Sequence, residues 1–178
     1  MTHGISTPAQ PQTRSGPVEE QIGIEGTTVL LVDDNEQNLE LMQAYLESLP
    51  CKIKMARDGL EAVAMIERNP PDLVLLDVMM PRMSGFEVCQ KIKSNPRTHG
   101  VQVIMVTALH EVGDVERAHE AGTNDFISKP VNKLELLTRV KSLLKFRVIQ
   151  REYEQIASLT SRIGPDTMAR LRAGEKLE

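Results

Sequence analysis

The sequence is poor in several residue types on which common classes of protein depend. It has no tryptophan, and aromatic residues make up only 3% of its 178 positions, so aliphatic side chains and nine methionines must fill its core. Its two cysteines, Cys51 and Cys89, fall in a predicted strand and a predicted helix, which argues against a disulfide framework or a zinc site. No apolar run approaches the roughly 18 residues of a membrane span, and the N-terminus lacks an apolar signal region. These absences predict a cytoplasmic protein without a membrane segment.

Other absences argue against particular activities. The net charge of −4 provides no excess of basic residues, which argues against a nucleic-acid-binding protein. No strand is followed by a G-x-G-x-x-G segment or by a Gly-Lys-Ser/Thr phosphate loop, so nucleotide binding loses its main support. The four histidines are scattered along the chain, and no serine lies in a nucleophile elbow.

The chain divides into a polar leader, one α/β domain and a C-terminal extension. Residues 1–26 are rich in Pro, Gly, Ser, Thr and Gln, and their few apolar side chains cannot offset the entropy of ordering, so this leader is predicted to be disordered. From residue 27, short apolar runs at 29–32, 52–55, 73–76, 101–106 and 126–128 alternate with segments of helical periodicity. Five βα units in about 120 residues predict a doubly wound parallel sheet.

Each predicted helix has an apolar face. Apolar residues at three- and four-residue steps are the positions that we expect to pack against the sheet. They are Leu39, Met42, Leu46 and Leu49, then Leu60, Val63 and Ile66, then Val88, Cys89 and Ile92, then Val112, Val115 and Ala118, and finally Leu134, Leu137, Val140 and Leu144.

Chemically versatile residues follow the strands at the points where they end. Asp33 and Asp34 follow the first strand, Asp77 the third, Thr107 the fourth and Lys129 the fifth. One Asp at a strand end is most simply a turn residue. Ligands of open α/β sheets bind outside the carboxyl ends of the strands, however, and a single crossover that makes the first and third strands neighbours would bring these side chains together.

Such a group of side chains predicts a magnesium site that handles phosphate. Three neighbouring carboxylates repel one another, and Mg²⁺, which is held by one or two carboxylates and several waters, removes that conflict. A carboxylate can attack phosphorus, and phosphoryl transfer requires mainly positioning and positive charge around the phosphoryl oxygens. Mg²⁺, Lys129, the Thr107 hydroxyl and a backbone N–H group would supply that charge and those donors.

At these positions the sequence resembles the receiver domain of two-component response regulators. The resemblance covers about residues 27–146 and is carried by Asp33-Asp34, Asp77 with Pro81, Thr107-Ala108, Phe126 and Lys129-Pro130. It implies a flavodoxin-like sheet of order 2-1-3-4-5 and phosphorylation of Asp77 by a sensor histidine kinase or a phosphotransfer protein.

The resemblance also implies a role for each site residue. Asp34 and Asp77 would bind Mg²⁺ directly, Asp33 through water, and Met79 through its backbone carbonyl. Lys129, Thr107 and Ala108 would contact the phosphoryl group, Thr107 and Phe126 would form the switch pair, and the Lys129-Pro130 bond would be cis.

The last predicted helix continues well beyond the domain. Phe146, Ile149, Tyr153, Ile156, Thr160 and Ile163 recur at alternating three- and four-residue steps, which is typical of a seam between two helices. Residues 147–163 therefore predict a homodimer seam, with a helix that folds back on its own domain as the alternative. Residues 164–178 are predicted to be a short tail or a truncated linker.

Three functions remain open on this basis. The chain could be a phosphorylation-controlled interaction module, the regulatory part of an enzyme, or a dimeric scaffold that acts without phosphorylation. The segment 162–175 loosely resembles the linker that precedes class III nucleotidyl cyclase domains, which is the basis for the enzyme alternative.

Overall fold

The computed structural model describes residues 23–108 and 112–162, and the side chains of 112–115 and 162 lie outside this description. Five strands alternate with five helices in the described chain. They are β1 (Thr28–Val32), α1 (Glu36–Leu46), β2 (Lys52–Ala56), α2 (Gly59–Arg68), β3 (Leu73–Asp77), α3 (Gly85–Ser94), β4 (Gln102–Thr107), α4 (Val112–Glu120), β5 (Asp125–Ser128) and α5 (Lys133–Arg162). None of the described helices is long and apolar enough to cross a membrane.

The strands form one parallel sheet in the order β2-β1-β3-β4-β5, which confirms the predicted doubly wound, flavodoxin-like fold. In register, Val29 of β1 is opposite Leu73 of β3, and Asp77 of β3 is opposite Val106 of β4. All five residues of β3 are buried, as expected for a central strand that is covered on both faces.

Alternate strand residues face two separate cores. Leu30, Val32, Val74 and Leu76 pack with α2, α3 and α4 on one face of the sheet. Their immediate neighbours, including Val29 and Leu31, pack with α1 and α5 on the other face. Because side chains alternate along a strand, a continuous apolar run serves both faces at once.

Side-chain caps fix where three of the helices begin. Asn35 accepts from the backbone N–H of Gln37, and Asp58 accepts from that of Glu61. Ser84 and Glu87 form a reciprocal capping box at the start of α3. All three caps lie in loops at the carboxyl edge of the sheet, so they also shape the surroundings of the site described below.

Most predicted inward positions are buried, but two predictions are wrong. Leu60 is 49% exposed, because α2 presents Gly59, Ala62 and Ile66 to the core and Leu60 lies to one side of them. Leu134 is 75% exposed. The buried face of α5 is centred on Leu136, which lies about 200° round the helix from Leu134.

The predicted limits of two segments also differ from the structure. Helix α1 ends at Leu46, so the buried Leu49 packs from the following turn rather than from the helix. Ile24 is 6% exposed and Thr27 bonds to its carbonyl oxygen, so packing against the domain begins within the predicted leader. The side chains of Val112 and Val115, Ile163 and the tail at 164–178 lie outside the described residues.

Candidate functional site

The ends of four strands bring the predicted site residues to one place. Asp33 directly follows β1, Asp77 ends β3, Thr107 ends β4 and Lys129 directly follows β5. The Lys129 Nζ atom lies 2.9 Å from Asp77 Oδ1 and 3.0 Å from Asp33 Oδ2. The sheet order therefore joins residues that are up to 96 positions apart in the chain.

The carboxylate of Asp33 is held on every side by the protein. It is 1% exposed and accepts hydrogen bonds from the Asn35 backbone N–H (2.9 Å) and from Lys129 Nζ (3.0 Å). The Asn38 side-chain amide lies 3.1 Å from Oδ1 and 3.0 Å from Oδ2. These bonds occupy both oxygens of Asp33, whereas Asp34 is exposed at the same edge.

At this site three acidic side chains surround one cationic side chain. Burial raises the pKa of Asp77, the hydrogen bond and charge of Lys129 lower it in part, and the charges of Asp33 and Asp34 raise it further. Burial acts to lower the pKa of Lys129, but its hydrogen bonds with Asp77 and Asp33 and the charges of these two acids together outweigh burial, so that pKa is raised. Lys129 therefore stays charged and offsets only part of the repulsion among the acids.

The donor set fits a hard divalent cation. One carboxylate oxygen from each of Asp33, Asp34 and Asp77 lies within 4.8 Å of the other two. Clustered carboxylates are the oxygen donors that Mg²⁺ prefers, and an added dication would relieve the repulsion that raises the pKa of Asp77.

The loop after β3 is packed tightly against the end of that strand. Its first turn is closed by hydrogen bonds from Met80 N–H (3.2 Å) and Gly85 N–H (3.0 Å) to the Val78 carbonyl. A methyl group added at Gly85 would lie 2.3 Å from the Asp77 carbonyl oxygen, so only glycine allows this approach. Met79, whose side chain is 70% exposed, lies in this loop immediately beyond Asp77 and Val78.

The remaining predicted residues lie around the same edge. Thr107 is 5% exposed, Ala108 after it is exposed, and the Lys129 backbone N–H donates to the Thr107 carbonyl over 2.8 Å. Phe126 is 43% exposed on β5, opposite Met105 of β4. The Lys129-Pro130 peptide bond is cis, which confirms that prediction.

Sequence reasoning missed two residues of the site. Asn38 lies in the first turn of α1, five positions after Asp33, and its amide reaches back to both oxygens of that acid. Placing α1 directly after the acidic pair would have pointed to Asn38. The role of Gly85 depends on how closely α3 approaches β3, and no local sequence signal reports that distance.

Comparisons with known proteins agree with this geometry. The family model of the response regulator receiver domain matches residues 29–141. The response regulator PleD of Caulobacter vibrioides is 41% identical over 136 residues, which are 76% of this chain and 30% of PleD. The polar-differentiation response regulator DivK of Brucella anthropi is 35% identical over 66% of this chain and 95% of its own.

A solved structure gives the same result. The response regulator receiver domain protein of Methanospirillum hungatei superposes with a TM-score of 0.66 at 28% identity, over 71% of this chain and 99% of that one. The chain spans less than a third of PleD, so the comparison with PleD concerns the receiver part alone. The chain therefore belongs to the response regulator receiver domains, the signalling domains of two-component phosphorelays.

Proposed function

We propose that Asp77 accepts a phosphoryl group from a phosphohistidine of a sensor histidine kinase or a phosphotransfer protein. The observation that carries this proposal is the buried Asp77 carboxylate, which lies 2.9 Å from Lys129 Nζ and beside Asp33 and Asp34. A carboxylate oxygen of Asp77 forms a bond to phosphorus while the P–N bond to the donor imidazole breaks, and the electron pair leaves with that imidazole.

The residues around Asp77 bind the metal and the transferred group. Asp34 and Asp77 would hold Mg²⁺ directly, Asp33 through water, and Met79 through its backbone carbonyl. Bound Mg²⁺ would supply positive charge that lets the carboxylates and the phosphoryl oxygens lie close together. The existing bonds of Asp33 to Asn38 and Lys129 support a water-mediated role, because both of its oxygens already have protein partners.

Three further residues respond to the new charge. Lys129 contacts a phosphoryl oxygen, and the Ala108 backbone N–H and the Thr107 hydroxyl donate to the others. As Thr107 turns toward the phosphoryl group, the ring of Phe126, now 43% exposed, turns inward. This movement would change the surface formed by β4, β5 and the neighbouring helices.

Phosphorylation can be tested by mass. Incubation with Mg²⁺ and a small phosphodonor should add one phosphoryl group to the chain, and Asp77→Asn, which keeps the shape of the side chain, should not gain it. Chelation of Mg²⁺ should also prevent the gain. A gain that persists in Asp77→Asn would assign the phosphoryl group to another residue and reject the proposal.

We also propose that the extended part of α5 forms a homodimer. Phe146, Ile149, Tyr153 and Ile156 are 47–72% exposed, so the domain does not cover the predicted seam. Exposed apolar side chains at alternating three- and four-residue steps fit a second copy of the same helix. This exposure argues against the alternative in which the stripe folds back on its own domain.

The dimer can be tested by placing acidic residues on the apolar stripe. Ile149→Asp with Ile156→Asp should give a monomer in light scattering, whereas Ser158→Asp with Ser161→Asp adds the same charge off the stripe and should leave a dimer. A dimer that persists in the first variant would show that another face is used.

The output that this receiver domain controls can be determined separately. If the chain is the regulatory part of an enzyme, as its coverage of 30% of PleD permits, the complete open reading frame will continue into a catalytic domain. A scaffold that acts without phosphorylation would instead show a dimer affinity that is the same before and after Asp77 is modified. The two free cysteines are in keeping with action in the reducing cytoplasm.

A further inference from the structure

Helix α5 crosses the whole domain and passes the edge of the sheet opposite the phosphorylation site. Its apolar side chains Leu136, Val140 and Leu144 pack into the core. Further along the helix, Arg147 lies against Gly100, and Gln150 and Arg151 form hydrogen bonds with the domain. We call these contacts the sheet-edge clasp. It consists of Asp72, Gly100 and Gln102 on the domain and of Arg147, Gln150 and Arg151 on the helix.

Asp72 forms the first half of the clasp. It directly precedes β3 and is 7% exposed. One of its oxygens accepts from the Thr28 backbone N–H at 2.8 Å, and the other accepts from Arg151 Nη1 at 2.7 Å. Asp72 thereby joins the beginnings of β1 and β3 to a residue of the helix that is 79 positions away.

Gln102 and Gly100 form the second half. Gln102 is the first residue of β4 and is 2% exposed, and its amide nitrogen donates to the Gly100 carbonyl at 3.0 Å and to Gln150 Oε1 at 3.3 Å. The Arg147 guanidinium lies directly over Gly100, where an added methyl group would be 2.6 Å from Nη1. The helix is thus in contact with the beginnings of β3 and β4 together.

The two clasp arginines lie across the helix from Ile149 of the apolar stripe, and Gln150 lies beside the stripe. At about 100° per residue, Arg151 lies roughly 200° from both Ile149 and Tyr153. The domain therefore holds the polar face, and the same contacts direct the stripe away from the sheet. Nothing in the apolar stripe itself would set this direction, because the stripe makes none of the clasp contacts.

We propose that the sheet-edge clasp fixes the orientation of the α5 extension relative to the sheet and so determines which helix face is available to a second copy of this chain. The clasp acts together with the core packing of Leu136, Val140 and Leu144 on the same continuous helix, whereas its use in dimerisation rests on the dimer proposed above. The clasp contacts the amino ends of β3 and β4, whose carboxyl ends carry Asp77 and Thr107. Any movement of these two strands would therefore change their contacts with α5.

The orientation is measured by the distance between two spin labels within one chain. Labels at the exposed positions Gln90→Cys and Ser158→Cys, with Cys51→Ser and Cys89→Ala, report the position of the helix relative to α3. Dilution with unlabelled protein removes distances between copies. The labelled chain should give one narrow distance distribution.

The clasp variant combines Arg147→Ala, Gln150→Ala and Arg151→Ala. Alanine is the best helix former, so a loss of order cannot come from lower helix propensity. The single narrow distance should be lost in this variant and kept in a matched control with alanine at Glu152 and Ser161, which carries the same label at Ser158→Cys. Arg151→Ala alone provides a second variant, because Asp72 retains its bond to Thr28.

The outcomes separate the two proposals. A distance distribution in the clasp variant that is as narrow as in the control would overturn the clasp, whatever the oligomeric state. If the distribution broadens and the dissociation constant of the dimer rises at least about tenfold, both proposals stand, since a freed helix must be ordered again on dimerisation at a cost comparable to the charged hydrogen bond that was lost. If the distribution broadens and both the wild type and the variant are monomers, the proposed role of the clasp stands and only the dimer is rejected.

Discussion

Gly85→Ala tests whether close packing of α3 against β3 positions the phosphoacceptor. The added methyl group would lie 2.3 Å from the Asp77 carbonyl oxygen and 2.9 Å from Val78 Cα. Both atoms belong to the backbone of the strand and loop that carry the site, so no side chain can rotate to relieve the contact. Since ordinary contact begins at 3.4 Å, α3 and the end of β3 must separate by about 1 Å.

The expected cost follows from that separation. Inserting a methyl group into a packed interior typically destabilises a protein by 1–3 kcal/mol, and we expect about 2 kcal/mol for Gly85→Ala. With a urea dependence of about 2 kcal/mol per M, the unfolding midpoint should fall by about 1 M. A catalytic group displaced by about this distance should also slow phosphorylation by a small-molecule donor by roughly 10- to 100-fold.

Gly26→Ala is the matched control. Gly26 has a φ of +77° with no atom within 4 Å of an added methyl group, so alanine there is strained but does not collide with anything. The left-handed conformation should cost about 1 kcal/mol, far from the site and without effect on the phosphorylation rate. If Gly85→Ala keeps the wild-type midpoint and rate, α3 can retreat freely and its packing does not position Asp77.

Two further predictions concern Lys129 and Cys89. Lys129→Met removes the cation from the buried Asp33 and Asp77 carboxylates and should lower the free energy of unfolding by about 2 kcal/mol without Mg²⁺. In thermal unfolding, Mg²⁺ should then stabilise this variant more than the wild type. An equal response to Mg²⁺ would contradict the role of Lys129 as the internal counter-charge. Burial raises the pKa of Cys89 from 9.0 to about 11, so the folded state favours the neutral thiol. This preference contributes about 3 kcal/mol to the free energy of unfolding below pH 9, and the contribution is lost as the pH rises through 11. Urea midpoints at about pH 8 and about pH 10.5 should therefore fall more in the wild type than in Cys89→Ala, and parallel losses would refute this assignment.

The positions of the site residues along the chain could be predicted because they follow from strand ends. A continuous apolar run such as 73–76 indicates a strand buried on both faces, and the first polar residue after it must lie at the sheet edge. Asp33, Asp77, Thr107 and Lys129 were found in this way. Strand order makes them neighbours, and that order was an implication of the resemblance to receiver domains, because five βα units alone predict a doubly wound sheet without fixing its crossover.

Helix rotation was less predictable than strand position. Apolar residues at three- and four-residue steps define a wide arc, and which part of the arc faces the core depends on the partner surface. Leu60 and Leu134 satisfied the spacing but are exposed, because Gly59 and Leu136 are the residues that the neighbouring elements admit. In α2 the close approach of Met83 and Val88 to Gly59, not periodicity, decided the rotation.

The sequence by itself determined the strands, the polar residues at their ends and the apolar stripe on the last helix, because each depends on patterns within a few neighbouring residues. Only the tertiary structure decided how Asn38 holds Asp33, how closely Gly85 approaches Asp77, and how Asp72 holds Arg151. These contacts depend on distances between elements, in the last case across 79 positions of the chain, and such distances are set by the packing of the whole domain.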